Sequence, residues 1–323
     1  MALLSSYIDK FKNKKILVYG DVMLDLYIRG DVERISPEAP VPVIVERSRE
    51  YVLGGAGNVA ANIASLGGVV TLVGVVGNDA EGKIIHDVCA KFRIDARLIV
   101  ERGRPTAVKA RAVAKRHQLL RIDRERAGAV SKAAEEKIIS RLKGLKNIDA
   151  VVVSDYAKGC VVPSIIAFIK KYFWNRKIIA GIKPAGAALY ENVETVVLNL
   201  KEGNAIIGMF GDSDAVAADV VSKLSEMLKS SVVLTRGEYG ITALDNKSGK
   251  ISHIPTRAVE VYDVTGAGDT VLASLALMCA SGAPLSLAAE IANHAAGVVV
   301  GLEGTATLTS KTLKKVLDQD RSG

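Results

Sequence analysis

Short β-branched runs separated by helix-sized intervals dominate the second half of this chain. DAVVVSD (149–155), KIIAGIK (177–183), ETVVLNL (194–200) and SVVLTRG (231–237) are each of strand length. Their alternation with longer intervals, beginning near Ser131, predicts a parallel sheet covered by helices. At the start, KKILVYGDVMLDLYIRGDV (14–32) reads as a strand interrupted at Gly20-Asp21. RISPEAPVPVIV (34–45) holds three prolines, which excludes a helix and predicts an extended edge segment or a small flap. VAANIASLGG (59–68) is a helix rich in small residues, TLVGVVGND (71–79) a strand, and EGKIIHDVCAKF (81–92) an amphipathic helix. Residues 106–124 alternate apolar and polar positions, as expected of an antiparallel strand pair with one side turned to solvent or ligand. Residues 271–300 are helical and small-residue rich. Together these elements describe one doubly wound α/β domain over residues 1–323, with lid segments at about 29–47 and 105–124.

Composition narrows the class. Hydrophobic residues make up 49% and aromatics only 5%, a mixture suited to a parallel sheet buried on both faces. No apolar run reaches membrane-spanning length, and MALLSSYIDKFKNKK lacks the apolar core and cleavage site of a signal peptide. Cys89, Cys160 and Cys279 are scattered, without metal-ligand spacing, which points to the cytoplasm rather than to a disulfide framework. The net charge of +8 is spread along the chain with no interleaved aromatics. That favours a phosphorylated small molecule as partner over nucleic acid or a membrane.

The stretch Asp263-Val264-Thr265-Gly266-Ala267-Gly268-Asp269-Thr270 carries the densest chemistry. Gly266 and Gly268 let successive backbone N–H groups converge, the helix behind them adds donors, and Asp269 sits where a phosphate and a hydroxyl can meet. A glycine turn capped by an aspartate is the plainer alternative. Other chemistry-bearing residues follow strand ends, where open α/β sheets collect ligands: Asp21 and Asp25, Asp155 and Lys158, Asn199 and Glu202, and Thr235, Gly237 and Gly240. Asn199 and Glu202 have spacing for a hydrated Mg²⁺ near phosphates, or for an ordinary helix cap. The turn from Thr235 to Gly240 can cradle phosphates or close a hairpin with ITALD (241–245). Gly54-Gly55-Ala56-Gly57-Asn58 permits close backbone approach, with Asn58 offering a donor and an acceptor to sugar hydroxyls. Lys109, Arg111, Lys115, Arg116 and Arg121 gather on one antiparallel segment; Lys109 and Arg111 share a face and suit a phosphate, or defend a solvated edge strand. His117 is the one histidine in suggestive company, while His86, His253 and His294 read as structural or surface residues.

These motifs resemble the ribokinase-like, or PfkB, carbohydrate kinases over nearly the whole chain. Residues 54–58 match the first family signature and 263–270 the second. RISPEAPVPV (34–43), PTAVKAR (105–111), RHQLLRID (116–123), SDYAKG (154–159) and VVVGLEGTAT (298–307) resemble the heptose 7-phosphate kinases within it. The resemblance implies a ribokinase-like, mainly parallel sheet flanked by helices, with a small β-sheet lid. It implies ATP-dependent phosphorylation of the anomeric hydroxyl of D-glycero-β-D-manno-heptose 7-phosphate, on the route to ADP-heptose and the lipopolysaccharide core.

It also implies residue roles. Asp269 would be the base, and the N–H groups of Gly266, Ala267 and Gly268 the anion hole. Asp25, Gly54, Gly55 and Asn58 would bind the sugar, and Lys109 and Arg111 its 7-phosphate. Asn199 and Glu202 would serve Mg²⁺ and phosphate, Glu202 through water, with Asp269 kept ionised by its nearby donors. Thr235, Gly237 and Gly240 would line ATP, with Asn293 near the adenine. Asp263 and Thr265, with carbonyls near 299–305, would hold a monovalent cation such as K⁺, and the flap would double as lid and homodimer clasp. Two departures stand out. Ile182 replaces an acidic residue usual in this subgroup, and the sequence ends without the His-x-Gly-His motif of a nucleotidyltransferase domain, as a kinase alone would. A kinase for another sugar shares all these residues, and a non-catalytic sugar-binding scaffold is the remaining rival.

Overall fold

A computed structural model describes residues 2–115, 117–126, 128–256, 261–302 and 304–319. The first half contains α1 (Ala2–Asp9), β1 (Lys15–Gly20), β2 (Val22–Ile35), β3 (Pro42–Gly55), α2 (Ala56–Ser65), β4 (Val69–Val73) and β5 (Val75–Val76). It continues through α3 (Ala80–Lys91), β6 (Asp95–Ala96), β7 (Ile99–Val100), β8 (Ala107–Ala114) and β9 (His117–Arg124). The second half alternates α4 (Lys132–Lys143), β10 (Ala150–Ser154), α5 (Pro163–Tyr172), β11 (Lys177–Gly181), β12 (Thr195–Asn199), α6 (Leu200–Ile207), α7 (Asp214–Leu228) and β13 (Ser231–Thr235). It ends with β14 (Ile241–Asp245), β15 (Lys250–Ile254), α8 (Ala267–Ala280), α9 (Leu285–Val299) and α10 (Ser310–Gln319).

Nine strands form the main sheet in the order β15-β14-β13-β12-β11-β10-β1-β4-β6. From β13 to β6 every neighbouring pair is parallel, whereas β14 and β15 add an antiparallel edge. Burial on both faces explains why the inner strands read as unbroken apolar runs: all five residues of β10, AVVVS, are buried. Alternate residues of β1 divide between two apolar layers. Ile16 and Val18 pack with α2, α3, α8 and α9, while Leu17 and Tyr19 pack with α4, α5 and α7. The predicted doubly wound, mainly parallel architecture is therefore the observed one.

A second sheet has the order β3-β2-β8-β9. β2 starts inside the body, where Val22, Met23 and Leu24 are buried, and runs out into the solvent-exposed half of the β2–β3 hairpin. The flap expected over 29–47 is thus the distal part of a longer hairpin, paired from Val22↔Gly55 to Ile35↔Pro42. Pairing between β2 and β3 slips between Arg29 and Gly30 and again between Val32 and Arg34. Pro42 opens β3, and Pro37 and Pro40 fall in the turn, so none of the three interrupts a ladder. The alternating segment at 106–124 forms the antiparallel β8–β9 pair, with β9 exposed along its length.

Parallel pairing of β1 with β10 ends at Gly20↔Ser154. A Cβ at Gly20 would lie 2.0 Å from the Ser154 carbonyl oxygen, a backbone atom that cannot step aside. Gly20→Ala is expected to destabilise the fold by about 3 kcal/mol through forced separation of the central strands, measured as a fall in the urea midpoint with an unchanged m-value.

Candidate active site

The carboxyl edge of the main sheet is organised by Asp21, one residue beyond β1. Its buried carboxylate accepts the backbone N–H groups of Tyr156 at 2.8 Å, Lys158 at 3.0 Å and Cys160 at 2.9 Å. Burial raises the Asp21 pKa above its ordinary value despite these donors. Asp155 braces the same loop, accepting from the Ala157 N–H and the Tyr190 hydroxyl, each at 2.8 Å. Both aspartates flagged at strand ends are occupied in shaping this loop, which crosses left-handed backbone at Ala157 (φ 56°) and Gly159 (φ 93°). What the loop presents is Tyr156.

Asp269 lies in the first turn of α8, behind Gly266, which is left-handed at φ 83° and makes no side-chain cap. A Cβ on Gly266 would stand 2.9 Å from Asn58 Nδ2, so glycine is needed there for space as well as for conformation. The Ala267 N–H makes a long 3.3 Å bond to the Val264 carbonyl, and Gly268 is exposed with open space around its Cβ position. Helix geometry leaves the first-turn N–H groups without intrahelical acceptors, facing outward from this end of α8.

The Asp269 side chain is 6% exposed. Asn58 Nδ2 donates to its Oδ2 at 2.8 Å, and the Tyr156 hydroxyl donates to its Oδ1 at 2.7 Å. Asn58 is itself held by Asn62, whose Nδ2 donates to Asn58 Oδ1 at 3.1 Å, and Thr270 Oγ1 donates to Asn62 Oδ1 at 3.1 Å. Burial pushes the Asp269 pKa up to about 6. The bonds from Tyr156 and Asn58 pull the other way, the Asp25 charge pushes further up, and Lys109 pulls down. Nearby donors are expected to keep this carboxyl ionised; desolvation outweighs their effect on the pKa, yet a value near 6 leaves the group mostly ionised at neutral pH.

The lid sheet contributes a buried ion pair. Arg111 on β8 donates from Nη1 to Asp25 Oδ1 at 2.6 Å, and the guanidinium lies 5.2 Å from the Tyr27 ring centre. Gly54 makes room for this pair, since a Cβ there would meet Asp25 Oδ2 at 2.6 Å. Gly55, at φ 55°, joins β3 to α2. Lys109, two residues before Arg111, places its ammonium 5.8 Å from the Tyr156 ring centre. The five cations grouped by sequence therefore separate. Arg111 is engaged by Asp25, Lys115 sits in the β8–β9 turn, Arg121 bonds Asp123 at 2.8 Å, and Arg116 lies outside the described residues. Lys109 forms no ion pair among the described residues and is the cation beside Asp269.

Lys183 also stands beside Tyr156, its ammonium 5.2 Å from the ring centre and bonded to Glu202 Oε1. Glu202 and Asn199 form a capping box at the start of α6: Asn199 Oδ1 accepts from the Glu202 N–H at 2.8 Å, and Glu202 Oε2 accepts from the Asn199 N–H at 3.1 Å. The helix-cap reading of this pair is thus realised. Among the described residues no three His, Cys, Asp or Glu side chains gather for a metal. One carboxylate beside a lysine fits an ion held mainly by phosphates and water, as Mg²⁺ commonly is. Ile182 is buried in the apolar layer with α5 and α7, where a carboxylate would be desolvated.

Residues 235–240 form a hairpin turn between β13 and β14, closed by the Arg236 N–H on the Gly240 carbonyl at 2.8 Å. Thr235 ends β13 at the carboxyl edge, and Gly237 and Gly240 take positive φ. Asn293 donates to the Pro255 carbonyl at 2.7 Å, tying α9 to the end of β15. The Asp263 Oδ1 accepts from the Thr265 N–H at 2.8 Å, and the Val300 carbonyl accepts from Tyr262 and Asp263. Of the carbonyls expected near 299–305, that of Glu303 lies outside the described residues. His117 is exposed on β9, and His253 Nδ1 is paired with Thr242 at 3.0 Å.

Sequence reasoning on residue types alone passed over Tyr156 and Lys183. SDYAKG (154–159) contained the tyrosine, but nothing in its spacing showed that the hydroxyl would reach Asp269 from 113 residues away.

Residues 13–312 match the pfkB family carbohydrate kinase pattern. Among curated proteins the chain is 40% identical over 312 residues to the bifunctional protein HldE of Caulobacter vibrioides, covering 94% of this chain and 63% of that protein. It is 38% identical over 312 residues to the protein of the same name from Pseudomonas aeruginosa, covering 97% and 65%. The chain thus spans just under two thirds of the length of these relatives. Among solved structures it superposes on Escherichia coli phosphofructokinase-2 in complex with substrates and products, with TM-score 0.79 at 18% identity, covering 95% of this chain and 99% of that one. Arabidopsis thaliana ribokinase complexed with ribose and ATP gives TM-score 0.74 at 19% identity, again covering 95% and 99%. The architecture is therefore ribokinase-like.

The raised pKa of Asp269 has a stability consequence. The native carboxyl keeps its proton up to about pH 6, whereas an unfolded aspartate loses it near 3.8, so wild-type stability falls as pH rises through that window. Asp269→Asn removes this cost. At pH 7.5 the variant is expected to be more stable by about 1–3 kcal/mol, and the gap should shrink to about a third of that by pH 4.5 and close only below about pH 3.8, as measured by urea unfolding across that range.

Proposed function

Because the chain belongs to the pfkB family of carbohydrate kinases, we propose that it transfers the γ-phosphoryl group of ATP to the C1 hydroxyl of D-glycero-β-D-manno-heptose 7-phosphate, giving the 1,7-bisphosphate. The observation that carries the reaction is the Asp269 carboxylate, buried and doubly hydrogen-bonded, beside the open glycine turn at the start of α8. A carboxylate with a pKa near 6 is ionised at neutral pH and basic enough to take a proton from a hydroxyl whose oxygen is bonding to phosphorus. In this reading the C1 oxygen bonds to the γ-phosphorus while the bond to the β–γ bridging oxygen breaks. ADP leaves with the electron pair, and the hydroxyl proton passes to Asp269 and then to water.

The first-turn N–H groups at Gly266, Ala267 and Gly268 would face the charge that develops on the phosphoryl oxygens. Asn58 and Asp25 would orient the sugar, Asp25 fixed in place by Arg111 and by the space at Gly54. With Arg111 committed to Asp25, Lys109 is our candidate for the sugar phosphate. Thr235, Gly237 and Gly240 would line ATP, with Asn293 behind its base. Asn199 and Glu202, with Lys183, would face its phosphates, and Glu202 would hold Mg²⁺ through water, the ion screening phosphate charge when bound. Asp263 and Thr265 remain the candidates for K⁺.

The choice of heptose rests on the resemblance at 34–43, 105–111 and 154–159 to the heptose 7-phosphate kinases. A role toward ADP-heptose for lipopolysaccharide, a cytoplasmic location and a homodimer clasped through the lid belong to the same proposal. Among the described residues no helix is long and apolar enough to cross a membrane.

Asp269→Asn is expected to lower kcat by at least about a thousandfold while leaving ATP and sugar affinity nearly intact, and near-normal turnover would remove Asp269 as base. Assayed with ATP and Mg²⁺ on a panel of sugar phosphates, the wild type should show its highest kcat/KM with the heptose 7-phosphate; a preference for another sugar would reassign the substrate. Lys109→Ala should raise KM for that substrate about tenfold or more and change KM for an unphosphorylated analogue little. Equal effects on both would place Lys109 elsewhere.

A further inference from the structure

Tyr156 belongs to neither family signature, yet it holds the centre of the site. Its backbone is fixed by Asp21, through the Tyr156 N–H itself and those of Lys158 and Cys160. Two ammonium groups stand close to its ring, Lys109 from β8 at 5.8 Å and Lys183 beyond β11 at 5.2 Å from the ring centre. Its hydroxyl donates to Asp269 Oδ1 at 2.7 Å. A tyrosine mounted at the backbone, flanked on its ring and bonded at its tip is a fixed post.

From this geometry we infer that Tyr156 is a positioning residue of the phosphoryl-transfer centre, holding its proton against Asp269 Oδ1 and so keeping Asp269 a carboxylate at working pH through one charge-assisted hydrogen bond. The inference takes Asp269 as the base proposed above. The groups facing Asp269 are Tyr156 from the loop after β10, Asn58 from α2, Asp25 from β2 and Lys109 from β8. Asp25 disfavours the ionised form, so Tyr156, Asn58 and Lys109 oppose its charge and the burial without cancelling them. The phenol can serve only as donor here. Burial, then the charge of Asp269, raises its own pKa well above the ordinary value and keeps its proton in place. Lys183 stands 5.2 Å from the ring centre and is bonded to Glu202.

A packing role and a positioning role predict different results for Tyr156→Phe, which keeps the ring and removes the donor. Loss of a hydrogen bond to an ionised group should raise the Asp269 midpoint by about one pH unit. The full chain labelled with [γ-¹³C]aspartate reads this directly, the Asp269 resonance being the one that Asp269→Asn deletes. The wild-type midpoint is expected near 6 and that of Tyr156→Phe near 7. Turnover should follow, with kcat of the variant about threefold below wild type at pH 6.5, near wild type at pH 8.5, and both KM values unchanged. An unmoved midpoint, or a kcat deficit equal at both pH values, overturns the inference.

Should Tyr156→Phe fail to fold, the wild-type chain labelled with [ζ-¹³C]tyrosine decides. One tyrosine resonance must titrate with the Asp269 midpoint and cease to do so in Asp269→Asn; if none does, the inference fails. A shifted midpoint in a protein that turns over no sugar phosphate would uphold the contact while defeating the proposed reaction.

Discussion

Asp21 uses every polar group it has to bind separate pieces of the chain to one another. Its N–H goes to the Ser154 carbonyl, its carbonyl takes the Ala56 N–H, and its carboxylate collects three N–H groups from the loop after β10. The end of β1, the start of α2 and the 156–160 loop therefore meet at one buried residue. A buried carboxylate is costly unless satisfied, and this one is satisfied only when the 156–160 loop is in place, while the backbone of the same residue ties the end of β1 to the start of α2. The site inherits its rigidity from that condition: α2 brings Asn58, the loop brings Tyr156, and both reach Asp269.

How much of this the sequence disclosed follows from the range of the interactions. The parallel core was legible because burial on both faces leaves continuous apolar runs such as AVVVS in β10. The glycine turn at Gly266 was legible because its requirement is local, a left-handed residue before a helix. Asn199 and Glu202 were visible as a pair, but their spacing serves a helix cap and a phosphate site equally, and only the third partner, Lys183, separates the two uses. Arg111 and Lys109 lie on one strand with the same alternation. Their division into a buried ion pair and an uncommitted cation depends on Asp25 across the sheet, which spacing along β8 does not encode. Tyr156 was hidden for the same reason.

Asp269 shows two opposed demands met at one atom group. In the proposed reaction water must be kept from the phosphate being transferred, and exclusion of water raises the carboxyl pKa. Two neutral donors and a nearby ammonium hold the rise to a value still below neutrality. An additional cation in direct contact would lower the pKa further and make the proposed base weaker; a drier pocket without donors would protonate it. The arrangement found lies between these limits.

The strand β2 joins body and lid without a break. Its first residues are buried against the main sheet, Asp25 follows, and the distal half runs into solvent. Both slips in its pairing with β3 fall beyond Asp25, at Arg29/Gly30 and Val32/Arg34. A bulged ladder bends where it is irregular, so the bends of β2 lie outboard of the Asp25–Arg111 pair. On the proposed reading of Asp25 as a sugar ligand, a shift of the hairpin tip over a ligand would leave that pair where it stands, the joint being set beyond it.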